Sequence, residues 1–336
     1  MSKHIAVIYS QPSRRMLATP YGATDEDSSS IAEKVSTTLT HRGYTVSIHR
    51  ITEDTFATIG EIRADCIFNL IEWCGLDIEL AKQSFVELRR LQIPVTGATE
   101  QLFVLTGDKI ALKAALLSAG ASVPRGMGFT TGSEDIPSDF PYPAIVKPST
   151  EHCSMGLSGE TVATDDLSLR RIVRAQIAAF RQPALAEEFI AGREFEVYLL
   201  EEAGRVRVLP IEEVLFPGDN PMAFQTYDCK WTPGSSDYEH TDVVRAKLTP
   251  NEQKIIEDEC ARAFTALKFR GYARFDVRYR DNIPYLLETN ANPSVYDGDA
   301  PVFNPDDEVI FGIRFSDYIE AIVQSAFWHY TRAWEL

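Results

Sequence analysis

Residues 274–290 read RFDVRYRDNIPYLLETN, two strand-like runs, Arg274–Tyr279 and Tyr285–Asn290, on either side of a polar turn. A turn centred on Asn282 sets Asp276 opposite Glu288 and Arg274 opposite Asn290. Because side chains alternate along a strand, Phe275, Val277, Tyr279, Tyr285, Leu287 and Thr289 share one largely apolar face that must cover a core. The other face carries Arg274, Asp276, Arg278, Glu288 and Asn290, with Leu286 among them. Facing carboxylates repel unless positive charge lies between them. Two readings compete. A hard divalent cation such as Mg²⁺ takes one or two carboxylates together with amide, water and phosphate oxygens. Alternatively the face is solvated and Arg274 and Arg278 neutralise the acids, as is common in antiparallel sheets.

The rest of the chain narrows the setting. Its 336 residues, 44% hydrophobic and 24% charged, suit a globular protein of two or three domains with an ample core. A formal charge of −16 argues against a nucleic-acid partner, which needs a concentrated basic surface, but not against ATP, which a few local lysines can hold. The apolar run near the N-terminus is five residues, too short for a signal peptide or membrane span, so the expectation is a soluble, cytoplasmic protein without a membrane partner. Five scattered cysteines without a C-x-x-C pair indicate neither a disulfide framework nor a zinc site.

Apolar runs at Ile5–Tyr9, Tyr44–Ile48, Cys66–Ile71 and Pro94–Thr96, with a helical stretch at Ser29–His41, predict an open α/β unit with a parallel sheet. No G-x-G-x-x-G follows the first run, which weakens a dinucleotide-binding reading. A second unit opens near Thr106 with a short helix, TGDKIALKAALLSAG, for which the threonine is a plausible cap. The strand YPAIVKPS, a small-residue loop TEHCSMGLSGE, the helical DDLSLRRIVRAQIAAF and the strand ALAEEFI follow. Later, Thr249-Pro250-Asn251-Glu252 forms a capping box for a helix running to about Lys268, and Ser316 is a candidate cap for a last helix with an apolar stripe from Ile319 to Phe327. Boundaries are expected at 1–104, 105–188 and 189–336.

Several residues sit where packing alone does not call for them. Lys147 ends an apolar strand and either reaches outward to water or meets a ligand. The adjoining loop, with Ser149, Thr150, Ser154, Gly156, Ser158 and Gly159, offers free N–H groups and hydroxyls of the kind that cradle phosphate, though an ordinary surface loop would look similar. Glu187, Glu188, Phe189, Ile190 and Glu194 combine apolar walls with acceptors, as a purine nucleoside site does; an edge strand protected by charge is the alternative. Cys153 has only adjacent His152 as a partner for nucleophilic chemistry, so a small pocket-lining role is the better reading.

Lys109, VKPS at 146–149, EEFIAGREF at 187–195, CKW at 229–231, R-x-D at 274–276 and E-x-N at 288–290 follow the order and spacing of the ATP-grasp superfamily. The chain resembles D-alanine–D-alanine ligase and its carboxylate–amine ligase relatives over nearly its whole length. The resemblance implies a three-domain α/β (α+β) architecture, with an open parallel-sheet N-terminal domain and two α+β domains that grip ATP. It implies Asp276, Glu288 and Asn290 as ligands of two Mg²⁺ ions, for which Mn²⁺ can substitute, with Glu288 bridging. It implies phosphate contacts from Lys109, Lys147 and Lys230, a loop contact from Ser154, adenine and ribose contacts from Glu187, Glu188, Phe189, Ile190 and Glu194, and Arg274 on the tetrahedral intermediate. On the substrate side it implies Glu26, Cys153, Trp231 and Ser294. Its partners would be a carboxylate and an amine, expected to be amino acids, and relatives that are commonly dimers make a homodimer the form to look for. The chemistry expected is an acyl phosphate made with ATP, then attacked by an amine.

The chain departs from the family at the substrate end. NLIEWCGLDIELA stands where H-G-x-x-G-E-D-G is usual, ANPSVYDGDAPVF follows the E-x-N, Trp231 replaces a tyrosine and Cys153 a serine. The expectation is therefore an amide-forming ligase for a pair other than two D-alanines, with Asp297 and Asp299 favouring an acceptor rich in amino or hydroxyl groups. D-alanine–D-alanine ligase itself is the alternative, and a non-catalytic ATP-binding regulator the second.

Overall fold

A computed structural model describes residues 2–22, 28–218, 220, 222–296 and 303–332. Near the N-terminus, β1 (His4–Ser10), β2 (Thr45–Ile51) and β3 (Cys66–Leu70) form a parallel sheet in the order β2-β1-β3. The short α1 (Arg14–Leu17) follows β1, and α2 (Ser28–His41) makes the crossover to β2. Residues 94–96, expected as a fourth strand, make only one parallel bridge, Ile67 to Val95. Pro94 has no N–H to give, and two backbone bonds to Ile67 are all the run can form. Helices α3 (Ile78–Leu91) and α4 (Glu100–Thr106) lead to α5 (Lys109–Ser118). Thr106 is the last residue of α4, not a cap. Asp108 caps α5, accepting from the N–H groups of Ile110 and Ala111, and Thr99 caps α4.

A four-stranded antiparallel sheet in the order β4-β7-β5-β6 comes next, built from β4 (Gly126–Phe129), β5 (Ala144–Pro148), β6 (Val162–Ala163) and β7 (Ala184–Glu188). It is backed by α6 (Asp166–Phe180), whose Leu169, Ile172 and Val173 are buried. Phe189 and Ile190 lie just past β7.

The largest sheet holds six strands. Its main path is β11-β10-β8-β12-β13, made of β8 (Arg193–Glu202), β10 (Glu212–Leu215), β11 (Asp242–Arg245), β12 (Tyr272–Arg280) and β13 (Ile283–Asn290), with β9 (Arg205–Val208) also on β8. The short helices α7 (Tyr227–Trp231) and α8 (Ser236–Glu239) lie in the excursion between β10 and β11. The capping box expected at Thr249 and Glu252 is present and opens α9 (Pro250–Ala266). The final helix, α10 (Phe315–Arg332), includes Ser316 in its first turn, where the hydroxyl donates to Asp306 instead of capping. Ile319, Ile322, Val323 and Ala326 of α10 share one core with Ile5, Val7 and Phe68 of the parallel sheet and Tyr198 and Leu200 of β8, so the last helix binds the parallel sheet to the six-stranded one.

The hairpin β12–β13 has the expected register, Arg274 opposite Asn290 and Asp276 opposite Glu288. Its two-residue turn, Asp281-Asn282, has φ of 54° and 61°, the paired left-handed geometry that matches strand twist. The faces differ from a uniform alternation at one point. A bulge makes Val277 pair with Leu286, leaving Leu287 extra. Leu286 therefore enters the core at 0% exposure, while Leu287 and Tyr285 turn to the polar face.

Candidate active site

A cavity of about 720 Å³ lies between the four-stranded and six-stranded sheets. Its floor is the polar face of β8, β12 and β13. Register sets three carboxylates in a row across these strands, Glu196 beside Asp276 beside Glu288. Arg274 grips Asp276 with a fork, Nε donating to Oδ1 at 2.8 Å and Nη2 to Oδ2 at 3.2 Å, and its Nη1 stands 3.8 Å from Glu196 Oε2. Glu288 Oε1 lies 2.9 Å from His152 Nδ1 and 3.3 Å from Lys109 Nζ. Burial pushes the Asp276 carboxyl up, and Glu196 and Glu288 add to it against the pull of Arg274. Burial also acts to raise Glu288, yet Lys109, His152 and Lys147 together hold it well below the ordinary carboxylate range. Asn290 faces Arg274, and its buried Nδ2 has no hydrogen-bond partner. Turning that amide over would present Oδ1 in the same place. Two carboxylates and an unsatisfied amide fit a magnesium ion that completes its shell with water and phosphate oxygens. No group of three or more His, Cys, Asp or Glu side chains suited to holding an ion alone occurs among the described residues.

Across the cavity, the end of β5 brings in Lys147, which is buried. Its Nζ donates to Glu187 Oε1 at 2.8 Å, and Lys113 Nζ lies 2.9 Å from Glu187 Oε2. Lys113 also donates to the Leu286 carbonyl at 2.9 Å, so one ammonium joins the β7 carboxylate to the far hairpin. Burial lowers the Lys113 ammonium to about 8, the Glu187 charge offsetting only part of this. Both Glu187 oxygens thus face lysines, whereas Glu188 projects to Arg280 at 2.8 Å. Lys109 lies behind Glu288, off the cavity wall, and donates to the Glu151 carbonyl. Lys113 is absent from the residues singled out by sequence; its spacing of four from Lys109 on a buried helix face was the available signal.

Phe189, Ile190 and Leu287 supply an apolar wall. Phe189 meets Phe224 edge-on at 5.7 Å and the Arg278 guanidinium at 5.5 Å. Arg278 is 3% exposed, pairs with Glu194 at 2.5 Å and donates to the carbonyls of Gly192 and Ala223, so the floor arginine is a fixed part of the wall and not a solvated neutraliser.

The loop after β5 closes one side. Cys153 and Ser154 have φ of 56° and 58° and both line the cavity. Trp231 Nε1 donates to the Cys153 carbonyl at 3.1 Å, and Tyr227 N donates to the Leu157 carbonyl at 3.1 Å, so α7, which carries Lys230, is fastened to this loop. Tyr21 stacks on Phe180 at 5.6 Å and meets Tyr227 edge-on at 5.1 Å, joining three segments that sequence reading left separate. His152 points to Glu288, which removes it as a base for Cys153. At the remaining end stand Glu72, Tyr198, Ser294 and Tyr296. Glu26, Asp297 and Asp299 lie outside the described residues.

Two antiparallel sheets that face each other across a cavity, Lys147 on one and a carboxylate row on the other, define an ATP-grasp protein. A family profile described as D-ala D-ala ligase C-terminus matches residues 128–324. A D-alanine–D-alanine ligase of Desulforudis audaxviator is 29% identical over 296 residues, covering 87% of this chain and 91% of its own. Among solved structures, D-alanine–D-alanine ligase from Bacillus anthracis complexed with ATP superposes with a TM-score of 0.72 at 19% identity, covering 99% of both chains. The VanG D-Ala:D-Ser ligase from Enterococcus faecalis gives 0.71 at 17% identity, covering 97% of this chain and all of its own. The chain belongs to the D-alanine–D-alanine ligase family, and is an ATP-dependent ligase that forms a carbon–nitrogen bond.

Proposed function

We propose that the protein joins the carboxylate of one D-alanine to the amine of a second, using ATP and releasing ADP and phosphate. The observation that carries a catalytic reading is the single polar face on which Arg274, Asp276, Glu288 and Asn290 oppose Lys147 across one cavity. The family and its D-alanine-specific relatives favour the substrate pair. The expectation of a different pair has less support. Cys153 meets Trp231 through its backbone carbonyl, which any residue would supply. A second reading, an acceptor with an additional amino or hydroxyl group, is favoured by the Glu72 carboxylate at the cavity's substrate end. A non-catalytic ATP binder would have no use for an arginine held between two carboxylates at the reacting end.

In this reading Phe189, Ile190 and Leu287 enclose the base, Glu188 and Glu194 accept from nucleoside N–H and hydroxyl groups, and Lys147 and Lys230 neutralise phosphate oxygens. Asp276, Glu288 and Asn290 would hold magnesium, two ions being expected, which when bound offsets charge on the triphosphate. The donor carboxylate attacks the γ-phosphorus and ADP leaves. The amine then attacks the acyl carbon, phosphate leaves, and the amine loses a proton. Arg274 donates hydrogen bonds to the oxyanion at that carbon. Loop 151–158 and α7 keep water from the acyl phosphate. Domain boundaries at 104/105 and 188/189 are part of the same reading.

The test is ADP release with D-alanine, and then with a panel of amino acids of both configurations, combined with hydroxylamine trapping of the acyl phosphate. D-alanine-dependent release with a trapped hydroxamate is expected. A wild-type protein that releases no ADP with any amino acid would sink the ligase reading; release with other pairs only would move it to the second reading.

A further inference from the structure

Glu196 is the member of the carboxylate row that the proposed chemistry leaves without a task. It sits opposite Asp276 on β8, is 6% exposed and lines the cavity. Burial opposes its charge, but Arg274 and then Lys230 favour it, with hydrogen bonds from Tyr198 and Gln225. The Tyr198 hydroxyl is 3.4 Å away, a weak contact. The Arg274 guanidinium thus lies between two carboxylates, with its fork wholly on Asp276 and a 3.8 Å gap to Glu196.

This arrangement competes with the use of Asp276 as a magnesium ligand, since each of its oxygens accepts from Arg274 and only its second lone pair remains for a cation. A cation arriving with nucleotide draws those oxygens away, and a largely buried guanidinium loses its anion only at a cost that a second carboxylate can offset. We propose that Glu196 is that carboxylate, a positioning residue that takes Arg274 when Asp276 turns to the cation. The handover needs only the existing gap to close, and it keeps Arg274 at the reacting end. It rests on the reading of Asp276 as a magnesium ligand.

The test is a double-mutant cycle read by calorimetric titration with ADP, in excess Mg²⁺ and in EDTA, on the full chain carrying Glu196→Gln, Arg274→Met or both. With Glu196→Gln, Mg²⁺–ADP is expected to bind about tenfold more weakly, because Arg274 then competes with the cation for Asp276, while ADP in EDTA binds as in wild type. In the Arg274→Met background the same change is expected to cost less than about twofold, since no guanidinium remains to be rehoused. Glu196→Asp, which keeps the charge, should recover most of the loss and covers the case of a Gln variant that does not fold. Equal losses in both backgrounds, no loss in either, or a wild type that does not bind Mg²⁺–ADP overturns the proposal. A wild type that binds Mg²⁺–ADP but turns over no amino acid refutes the ligase reading and leaves the cycle's answer intact.

Discussion

Glu187→Gln should destabilise the protein far more than Lys113→Met, although the two residues share one ion pair. The Glu187 carboxylate is 1% exposed and is held between Lys147 at 2.8 Å and Lys113 at 2.9 Å. Neutralising it leaves two buried ammonium groups facing each other, and breaking a buried pair in this way costs about 3–5 kcal/mol. For a chain of this size that corresponds to a fall in melting temperature of roughly 4–7 °C. Lys113 is the opposite case. Burial lowers its ammonium from 10.5 to about 8, so the charged form is disfavoured in the fold by about 3 kcal/mol, at 1.36 kcal/mol per tenfold in proton affinity. Methionine removes that penalty along with the bond to the Leu286 carbonyl, worth about 1 kcal/mol, and leaves Glu187 paired with Lys147. The net change at pH 7 should be a gain of about 2 kcal/mol, the penalty removed outweighing the bond lost. The pH dependence gives a second reading of the same group. Below about 8 Lys113 is protonated in both states and its penalty is fully present; between about 8 and 10.5 the unfolded chain holds more protons, so wild-type stability rises relative to Lys113→Met. Urea unfolding followed by circular dichroism from pH 7 to 10 measures both effects. A Lys113→Met variant less stable than wild type by about 1 kcal/mol or more, or a Glu187→Gln loss below about 1, refutes the assignment of the triad's cost to Lys113.

Three further outcomes are expected. Asp276→Asn and Glu288→Gln should each lower ADP release by about a hundredfold or more while leaving the far-ultraviolet spectrum unchanged, and near-wild-type release from either would remove the carboxylates from the chemistry. Gly97→Ala should cost about 1–3 kcal/mol in thermal unfolding, because Gly97 has φ of 78° and a Cβ there would fall on Asn292 Oδ1, which accepts from Ala98 N. Glu201 accepts from Gly271 N at 2.9 Å, Ser325 at 3.1 Å and His329 at 2.7 Å; burial acts to raise its carboxyl, but these partners hold it low. Its stabilisation is therefore present above its ordinary value and lost as pH falls through the lowered one, so the gap between wild type and Glu201→Gln in urea midpoint should close under acid.

The hairpin was legible because its turn and alternation are local. Asp281-Asn282 accept positive φ and form a two-residue turn that by itself would set Asp276 opposite Leu287; the bulge shifts the register by one and so pairs Asp276 with Glu288, the pairing that a turn centred on Asn282 predicts. The bulge was not legible, since Leu286 and Leu287 are both leucine and nothing local says which enters the core. Lys113 was hidden by a helix that reads as ordinary until its buried face is known. Glu196 left a signal in the sequence, because polar and apolar residues alternate over Glu194-Phe195-Glu196-Val197, and on a strand Glu194, Glu196 and Tyr198 share a face. Contacts across the chain, such as Tyr21 on Phe180 and α10 on the parallel sheet, depend on how three sheets assemble, which no local pattern encodes.

The cavity's own charge bears on how a nucleotide can enter it. Among the described residues its wall carries seven side-chain carboxylates and four lysine or arginine side chains. Most of those cations are already engaged: Arg278 with Glu194, Lys147 with Glu187, Arg274 with Asp276. A bare triphosphate would bring several negative charges into a space that is acidic before it arrives, and among partly buried charges such repulsion is less screened than at the surface. The acids at Asp276 and Glu288 turn from a barrier into an attraction only when the phosphates arrive with divalent cations. ATP should accordingly bind at least about tenfold more tightly with Mg²⁺ than in EDTA, and Asp276→Asn should narrow that ratio by relieving the repulsion as well as removing a ligand. Equal affinity in the two buffers would mean that the carboxylate row serves Arg274 and the fold alone.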